Sequence, residues 1–129
     1  MFRVLVVDDD PALRAMMVTI LESEGYEVTQ ARNGQEAVAC LERGWHPVVM
    51  LLDVMMPVMD GIAVCHWVNA RMPLQERPHI IILSASMAPG TELPAAAAML
   101  TKPFGIDAVL DLVGHFCQVD QAHPAAYAA

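Results

Sequence analysis

Two hydrophobic rhythms alternate along this chain. Short apolar runs end abruptly in polar residues: Val4-Leu5-Val6-Val7 runs into Asp8-Asp9-Asp10, Val48-Val49-Met50-Leu51-Leu52 into Asp53, and Ile80-Ile81-Ile82-Leu83 into Ser84. Continuous runs of this length mark strands buried on both faces of a parallel sheet. They predict strands over Phe2–Val7, Val48–Asp53 and His79–Leu83. Glu27–Ala31 alternates polar and apolar instead, the pattern of an edge strand, and Ala98–Thr101 is a short fifth strand ending at Lys102.

Between the runs, apolar residues recur at helical spacing. Asp10-Pro11 is a helix start, with a carboxylate cap and proline at the first helical position. Leu13, Met16, Met17, Ile20 and Leu21 then share one face, and Gly25 stops the helix. Asn33-Gly34 opens a helix over Gln35–Arg43 that turns Ala37, Val38 and Leu41 inward. Asp60-Gly61 opens another, reaching about Arg71, with Ile62, Cys65 and Val68 on its inner face. Pro73 and Pro78 bracket a loop. The last helix, Ile106–Cys117, carries Ile106, Val109, Leu110, Val113 and Phe116, and Gln118–Ala129 lacks an apolar period.

Strands alternating with helices predict a doubly wound α/β fold with right-handed crossovers. With the apolar strands central and the alternating one at an edge, the five-stranded parallel sheet takes the flavodoxin-like order 2-1-3-4-5. One domain over residues 1–118 and a flexible tail over 119–129 follow. The fourth crossover is unusual. Residues 84–97 alone join strands four and five, close to the minimum for a parallel connection. Ala85–Gly90 reads as loop, leaving room for about two helical turns, roughly 10 Å. Thr91 would cap that helix, with Pro94 in its first turn. A shortened or irregular fourth helix is expected.

Composition narrows the function. The 129 residues are 56% hydrophobic and 17% charged, which describes one globular domain. A net charge of -8 argues against direct grip on nucleic acid. The apolar runs are too short to span a membrane, and no signal-peptide pattern is present. Cys40, Cys65 and Cys117 are odd in number and fall in predicted helices, so they read as reduced core thiols of a cytoplasmic protein. The histidines show no ligand spacing, the ten methionines read as packing material, and Trp45 and Trp67 as partly buried helix-surface residues.

In an open α/β sheet the chemistry sits at the carboxyl ends of the strands, where neighbouring strands diverge. There Asp8, Asp9 and Asp53 converge, and three carboxylates so close require a counter-charge. Hard oxygens around a partly open position suit Mg2+. Asp10 is assigned to helix capping. Ser84 and Lys102, the chain's only lysine, end strands four and five on the same edge. A hydroxyl, an ammonium and a metal around one carboxylate suit a phosphoryl group, with Asp53 as nucleophile. Pro103 permits a cis bond that would aim the ammonium inward, although cis is the minority state.

Val-Val-Asp8-Asp9-Asp10-Pro11, Leu-Leu-Asp53, Met56-Pro57-Val58-Met59-Asp60-Gly61, Ile-Leu-Ser84-Ala85 and Lys102-Pro103-Phe104 together resemble the receiver domain of two-component response regulators over nearly all of residues 1–118. The resemblance implies Asp53 as acceptor of a phosphoryl group from a phosphohistidine. Asp9, Asp53 and the Met55 carbonyl would be Mg2+ ligands, Asp8 would act largely through water, and Ser84 and Lys102 would bind the phosphoryl group. The partners would be a histidine kinase or histidine phosphotransfer protein upstream and an effector protein or output domain downstream, with a phosphorylation-dependent dimer allowed. Such a domain catalyses only its own phosphorylation and dephosphorylation. The chain would be a stand-alone receiver or part of a longer regulator.

Three rivals are weaker. An aspartyl-phosphate Mg2+ phosphatase needs a second acid where Met55 stands, and a flavodoxin-like cofactor binder needs a phosphate cradle where the acidic triplet stands. A receiver-fold interaction scaffold leaves the full residue set unexplained. Met99, three before Lys102, stands where receivers that switch through an aromatic ring carry Tyr or Phe. No aromatic switch is expected, the usual output face should be altered, and the first helix is a candidate signalling surface.

Overall fold

A computed structural model describes residues 2–85 and 90–122 of the chain. In chain order the elements are β1 (Arg3–Val7), α1 (Pro11–Ser23), β2 (Glu27–Ala31), α2 (Gly34–Glu42), β3 (Val49–Asp53), α3 (Gly61–Arg71), β4 (His79–Ser84), β5 (Ala96–Thr101) and α4 (Ile106–Ala122). A single 3-10 turn, Leu74–Glu76, fills the loop between Pro73 and Pro78. All the strand pairs are parallel and the order is β2-β1-β3-β4-β5, the arrangement expected from the apolar runs.

The starts of α1, α2 and α3 and the ends of α1 and α2 have local causes. Asp10 accepts from the N–H groups of Ala12 (3.0 Å) and Leu13 (3.3 Å), and Asn33 from that of Glu36 (2.9 Å). Asp60 accepts from Ala63 N–H at 2.9 Å, so all three helices start on a side chain that satisfies otherwise orphaned donors. Behind α1 and α2, Gly25 and Gly44 take positive φ (93° and 87°), where a side chain would be strained.

The sheet divides the core in two. Leu5, Val7, Met50, Leu52, Ile80 and Ile82 face α2 and α3, meeting Ala37, Leu41, Val64, Cys65 and Val68. Val4, Val6, Val49, Leu51, Ile81 and Leu83 face α1 and α4, meeting Met17, Leu21, Val109, Val113 and Cys117. Complete burial of each such Leu, Ile, Val or Met side chain contributes about 1.5–3 kcal/mol. β2, with no strand on its outer side, is only half buried, as its alternation requires. The three cysteines are free and buried among these layers.

Register fixes where the strand ends stand. Val7 lies opposite Leu52, Asp53 opposite Leu83, and Ser84 opposite Thr101. Asp8, Asp53, Ser84 and Lys102 therefore leave the sheet along one edge.

Four expectations need correction. Met16 does not face inward: it is exposed, because the inner face of α1 is narrow and centred on Met17 and Leu21. Trp45 lies beyond the end of α2, over the Arg3 guanidinium at 5.5 Å. The last helix runs past Cys117 to Ala122, so residues 119–122 are helical, while 123–129 lie outside the described residues. Near the end of the expected helix Phe116 stacks on His79 (4.9 Å between centroids), and Asp120, in the extension, is near enough to act on the His79 charge.

The fourth crossover departs furthest. The expected shortened helix over Thr91–Ala97 does not form: among the described residues between β4 and β5, none is helical. Ala95 instead takes φ 68° in a turn, and β5 begins at Ala96, two residues earlier than the apolar run suggests. Alanine favours helix, but pairing along β4 captures this run as strand, with a bulge between Ile80 and Ile81 where the register slips. Leu93, Ala95 and Ala96 pack against the α2–α3 side of the core. Met99 on the edge strand β5 remains about half exposed.

Candidate functional site

Asp53 is the last residue of β3 and is 4% exposed, so its carboxylate emerges from a buried strand into the crevice above the sheet edge. Asp8, just past β1, is fully buried, whereas Asp9 beside it is exposed. One carboxylate oxygen from each of the three lies within 4.8 Å of the others. The expected acidic convergence is therefore formed by β1 and β3 as neighbours. Asp10 stands apart as the α1 cap, as expected.

Lys102 supplies the counter-charge. Its N–H donates to the Ser84 carbonyl at 2.7 Å, which ties the end of β5 to the end of β4. The Lys102–Pro103 peptide is cis. The ammonium nitrogen lies 3.5 Å from Asp53 Oδ1 and 3.7 Å from Asp8 Oδ2. These distances exceed those of a direct charge-assisted hydrogen bond, so Lys102 acts as a point charge shared by two acids. Ser84 lies on the same edge and is 2% exposed.

Burial pushes the Asp53 carboxyl up to about 6, with the Asp8 charge adding to the rise and Asp9 contributing least. Lys102 and the Met55 N–H, which donates to Asp53 Oδ1 at 3.2 Å, pull the other way without cancelling it. The existing cation is thus too little positive charge for the acids present. Asp8 Oδ2 is also buried with no hydrogen-bond partner. An orphaned buried oxygen, an all-oxygen donor set and surplus negative charge fit a hard divalent cation such as Mg2+. Asp8, Asp9 and Asp53 could coordinate one.

The Val54–Asp60 loop walls one side. Met55 is 70% exposed, so its backbone, not its side chain, borders the site. Met59 N–H donates to the Pro57 carbonyl at 2.8 Å across Val58, whose φ is 72°. Gly61 N–H then returns to the Val54 carbonyl at 3.0 Å and closes the loop. On the opposite side, Leu13, Met16, Ala85, Lys102, Pro103 and Phe104 line an apolar hollow of about 500 Å3.

Two contributors were not singled out in the sequence. Arg14 reaches back to the Asp8 carbonyl, and Gly61 packs on the Asp53 backbone. The Asp-Gly pair at 60–61 marked a helix start, but nothing in one dimension marked the close approach.

The sequence profile of the response regulator receiver domain matches residues 4–114. The chain is 36% identical over 111 residues to the probable transcriptional regulatory protein TcrX of Mycobacterium tuberculosis, covering 83% of this chain and 46% of that one. It thus spans less than half the length of that curated relative. Among solved structures, response regulator protein TrrA from Thermotoga maritima, in complex with Mg2+-BeF, superposes with a TM-score of 0.78 at 31% identity, over 90% of this chain and 99% of that one. A CheY-like response regulator receiver domain protein from Methanospirillum hungatei gives a TM-score of 0.82 at 28% identity, over 93% and 97% of the two chains.

Proposed function

Because this chain belongs to the response regulator receiver domain family, we propose that it takes a phosphoryl group from a phosphohistidine onto Asp53 and passes the phosphorylated state to a partner or output domain. Receiver domains are sites of their own phosphorylation and dephosphorylation, not enzymes working on separate substrates. The observation that carries the assignment is the Asp53 carboxylate at the end of a buried strand, 3.5 Å from the lysine ammonium and within reach of two further acids.

In the transfer an Asp53 carboxylate oxygen forms a bond to phosphorus. The phosphorus–nitrogen bond of the phosphohistidine breaks, and its electron pair stays on that nitrogen, so an imidazole protonated at its other ring nitrogen leaves as a neutral ring. Asp53 must be ionised to attack, and burial works against its ionised form. Asp8, Asp9, Asp53 and the Met55 carbonyl would hold Mg2+, with Asp8 acting largely through water. Bound there, the ion supplies positive charge that keeps Asp53 ionised and offsets charge on the phosphoryl oxygens. Lys102 offers a second cation and Ser84 a hydroxyl to those oxygens. The Mg2+-BeF complex of the Thermotoga maritima relative supports this reading.

The apolar hollow between α1 and the Lys102–Phe104 turn borders Lys102, and exposed Met16 lies on its rim. This is the surface on which a histidine kinase or histidine phosphotransfer protein would bring its phosphohistidine to Asp53. The setting is cytoplasmic in this proposal, with no direct contact to nucleic acid or membrane.

A small phosphodonor with Mg2+ tests the assignment. Wild type should acquire acid-labile, hydroxylamine-sensitive phosphate, EDTA should prevent it, and Asp53→Asn should carry none. Full labelling of Asp53→Asn would rule Asp53 out as the acceptor.

A further inference from the structure

Asp9 differs from the other two acids at the site. Asp8 and Asp53 are buried and held by their surroundings, whereas Asp9 is exposed, and no hydrogen bond reaches its carboxylate among the described residues. What positions Asp9 is therefore the backbone of the β1–α1 turn. That turn is pinned on both sides of Asp9. Asp8 N–H donates to the Ala31 carbonyl at 3.2 Å, Asp10 N–H donates to Asp8 Oδ1 at 2.9 Å, and Asp10 caps α1.

The remaining freedom is the tilt of the peptide joining Asp8 to Asp9. Its carbonyl oxygen accepts from Arg14 Nη1 at 2.7 Å. The same guanidinium donates through Nε to Gln30 Oε1 on β2 at 3.0 Å. Because a peptide unit is planar, holding its oxygen also holds the Asp9 nitrogen and so the direction of the Asp9 side chain. Arg14 thus bridges the turn to the edge strand through a planar fork that a lysine ammonium cannot imitate.

The placement works against α1 itself. A cation near a helix N-terminus opposes the helix dipole, although the Asp10 cap carboxylate offsets part of that cost. Simple proximity of a cation to the acids would, moreover, weaken binding of another cation. Neither effect favours arginine here, while the clamp on the Asp8–Asp9 peptide does.

We propose that Arg14 is a positioning residue for the metal site, orienting Asp9 toward the cation through the Asp8 carbonyl. This rests on the reading of Asp8, Asp9 and Asp53 as a Mg2+ site. Charge and geometry predict opposite signs, so they separate cleanly. Mg2+ titrations at fixed ionic strength, read by calorimetry on wild type, Arg14→Ala and Arg14→Lys, decide between them. Both variants should bind Mg2+ about tenfold more weakly, the low end for loss of a residue supporting a metal ligand. Lysine should not rescue, since it restores charge but not the fork. Arg14→Lys keeps most of the stem and the charge, so it keeps the test available if Arg14→Ala folds poorly. Unchanged or tighter Mg2+ binding by Arg14→Ala, or wild-type affinity in Arg14→Lys, would overturn the proposal. So would a lowered metal-free melting temperature with unaltered Mg2+ affinity, the mark of a purely structural contact. Failure of wild type to bind Mg2+ would instead sink the site itself, a result visible before any variant is compared.

Discussion

Gly61 sits so close to the end of β3 that a Cβ on it would lie 2.4 Å from the Asp53 carbonyl oxygen and 2.9 Å from Val54 Cα. Both obstacles are backbone and cannot swing aside. The residue opening α3 therefore has to be glycine for steric reasons, not for its dihedral range. Gly61→Ala should destabilise the fold by about 1–3 kcal/mol, the range for overpacking. Because the displaced atoms belong to Asp53, it should also weaken Mg2+ binding. Urea unfolding and a Mg2+ titration check the two effects, and wild-type values in both would contradict the close packing.

Val58 makes the opposite case. It is 77% exposed, so its side chain contributes little to the core, yet it holds φ at 72° in a tight turn. A branched side chain in the left-handed region costs about 1–2 kcal/mol. Glycine relieves that cost but brings about 0.5–1 kcal/mol of extra chain entropy to lose on folding. Val58→Gly should accordingly raise stability by a few tenths to about 1 kcal/mol, measured as a higher urea midpoint at unchanged slope. A lower midpoint would mean that the strain is absent.

Asp53 predicts a pH dependence opposite to that of an ordinary salt-bridged aspartate. Its folded-state pKa of about 6 lies above the ordinary aspartate value of 3.8, so between these values the native protein holds a proton that the unfolded chain has lost. Stability contributed by this group is therefore greatest at low pH and declines as pH rises through that window. The loss is on the order of 2–3 kcal/mol. Since other acids add their own slopes, the clean measurement is the difference between wild type and Asp53→Asn without metal. The variant should gain on wild type as pH rises from 4 to about 7. Parallel curves would show that Asp53 titrates normally.

Magnesium should act on the same imbalance. An ion that binds the native state alone raises stability by about 2.7 kcal/mol at a hundredfold excess over its dissociation constant. The melting temperature should rise with millimolar MgCl2, and Asp9→Ala should remove most of the increase. With one negative charge fewer, the metal-free variant should melt no lower than metal-free wild type. A melting temperature indifferent to MgCl2 would argue against a metal site.

Much of this protein is written in local pattern. Unbroken apolar runs specify doubly buried strands because side chains alternate faces along a strand. The capping residues Asp10, Asn33 and Asp60 specify helix starts because their oxygens reach backbone donors a few residues on. With the order 2-1-3-4-5, those facts place Asp8, Asp9, Asp53, Ser84 and Lys102 on one edge. Tertiary structure decided what depends on competition or distance. Ala96 could propagate a helix but pairs with Ile80 instead, and Ala97 falls at the bulge before Ala98 meets Ile81, a ladder that local propensity does not register. α4 outruns its apolar period, and the Asp120 it gains acts on the charge of His79, 41 residues away in sequence. The grip of Arg14 on the Asp8 carbonyl and the contact of Gly61 with Asp53 likewise have no one-dimensional trace. Each depends on how closely two backbones approach, and that distance exists only once the chain has packed.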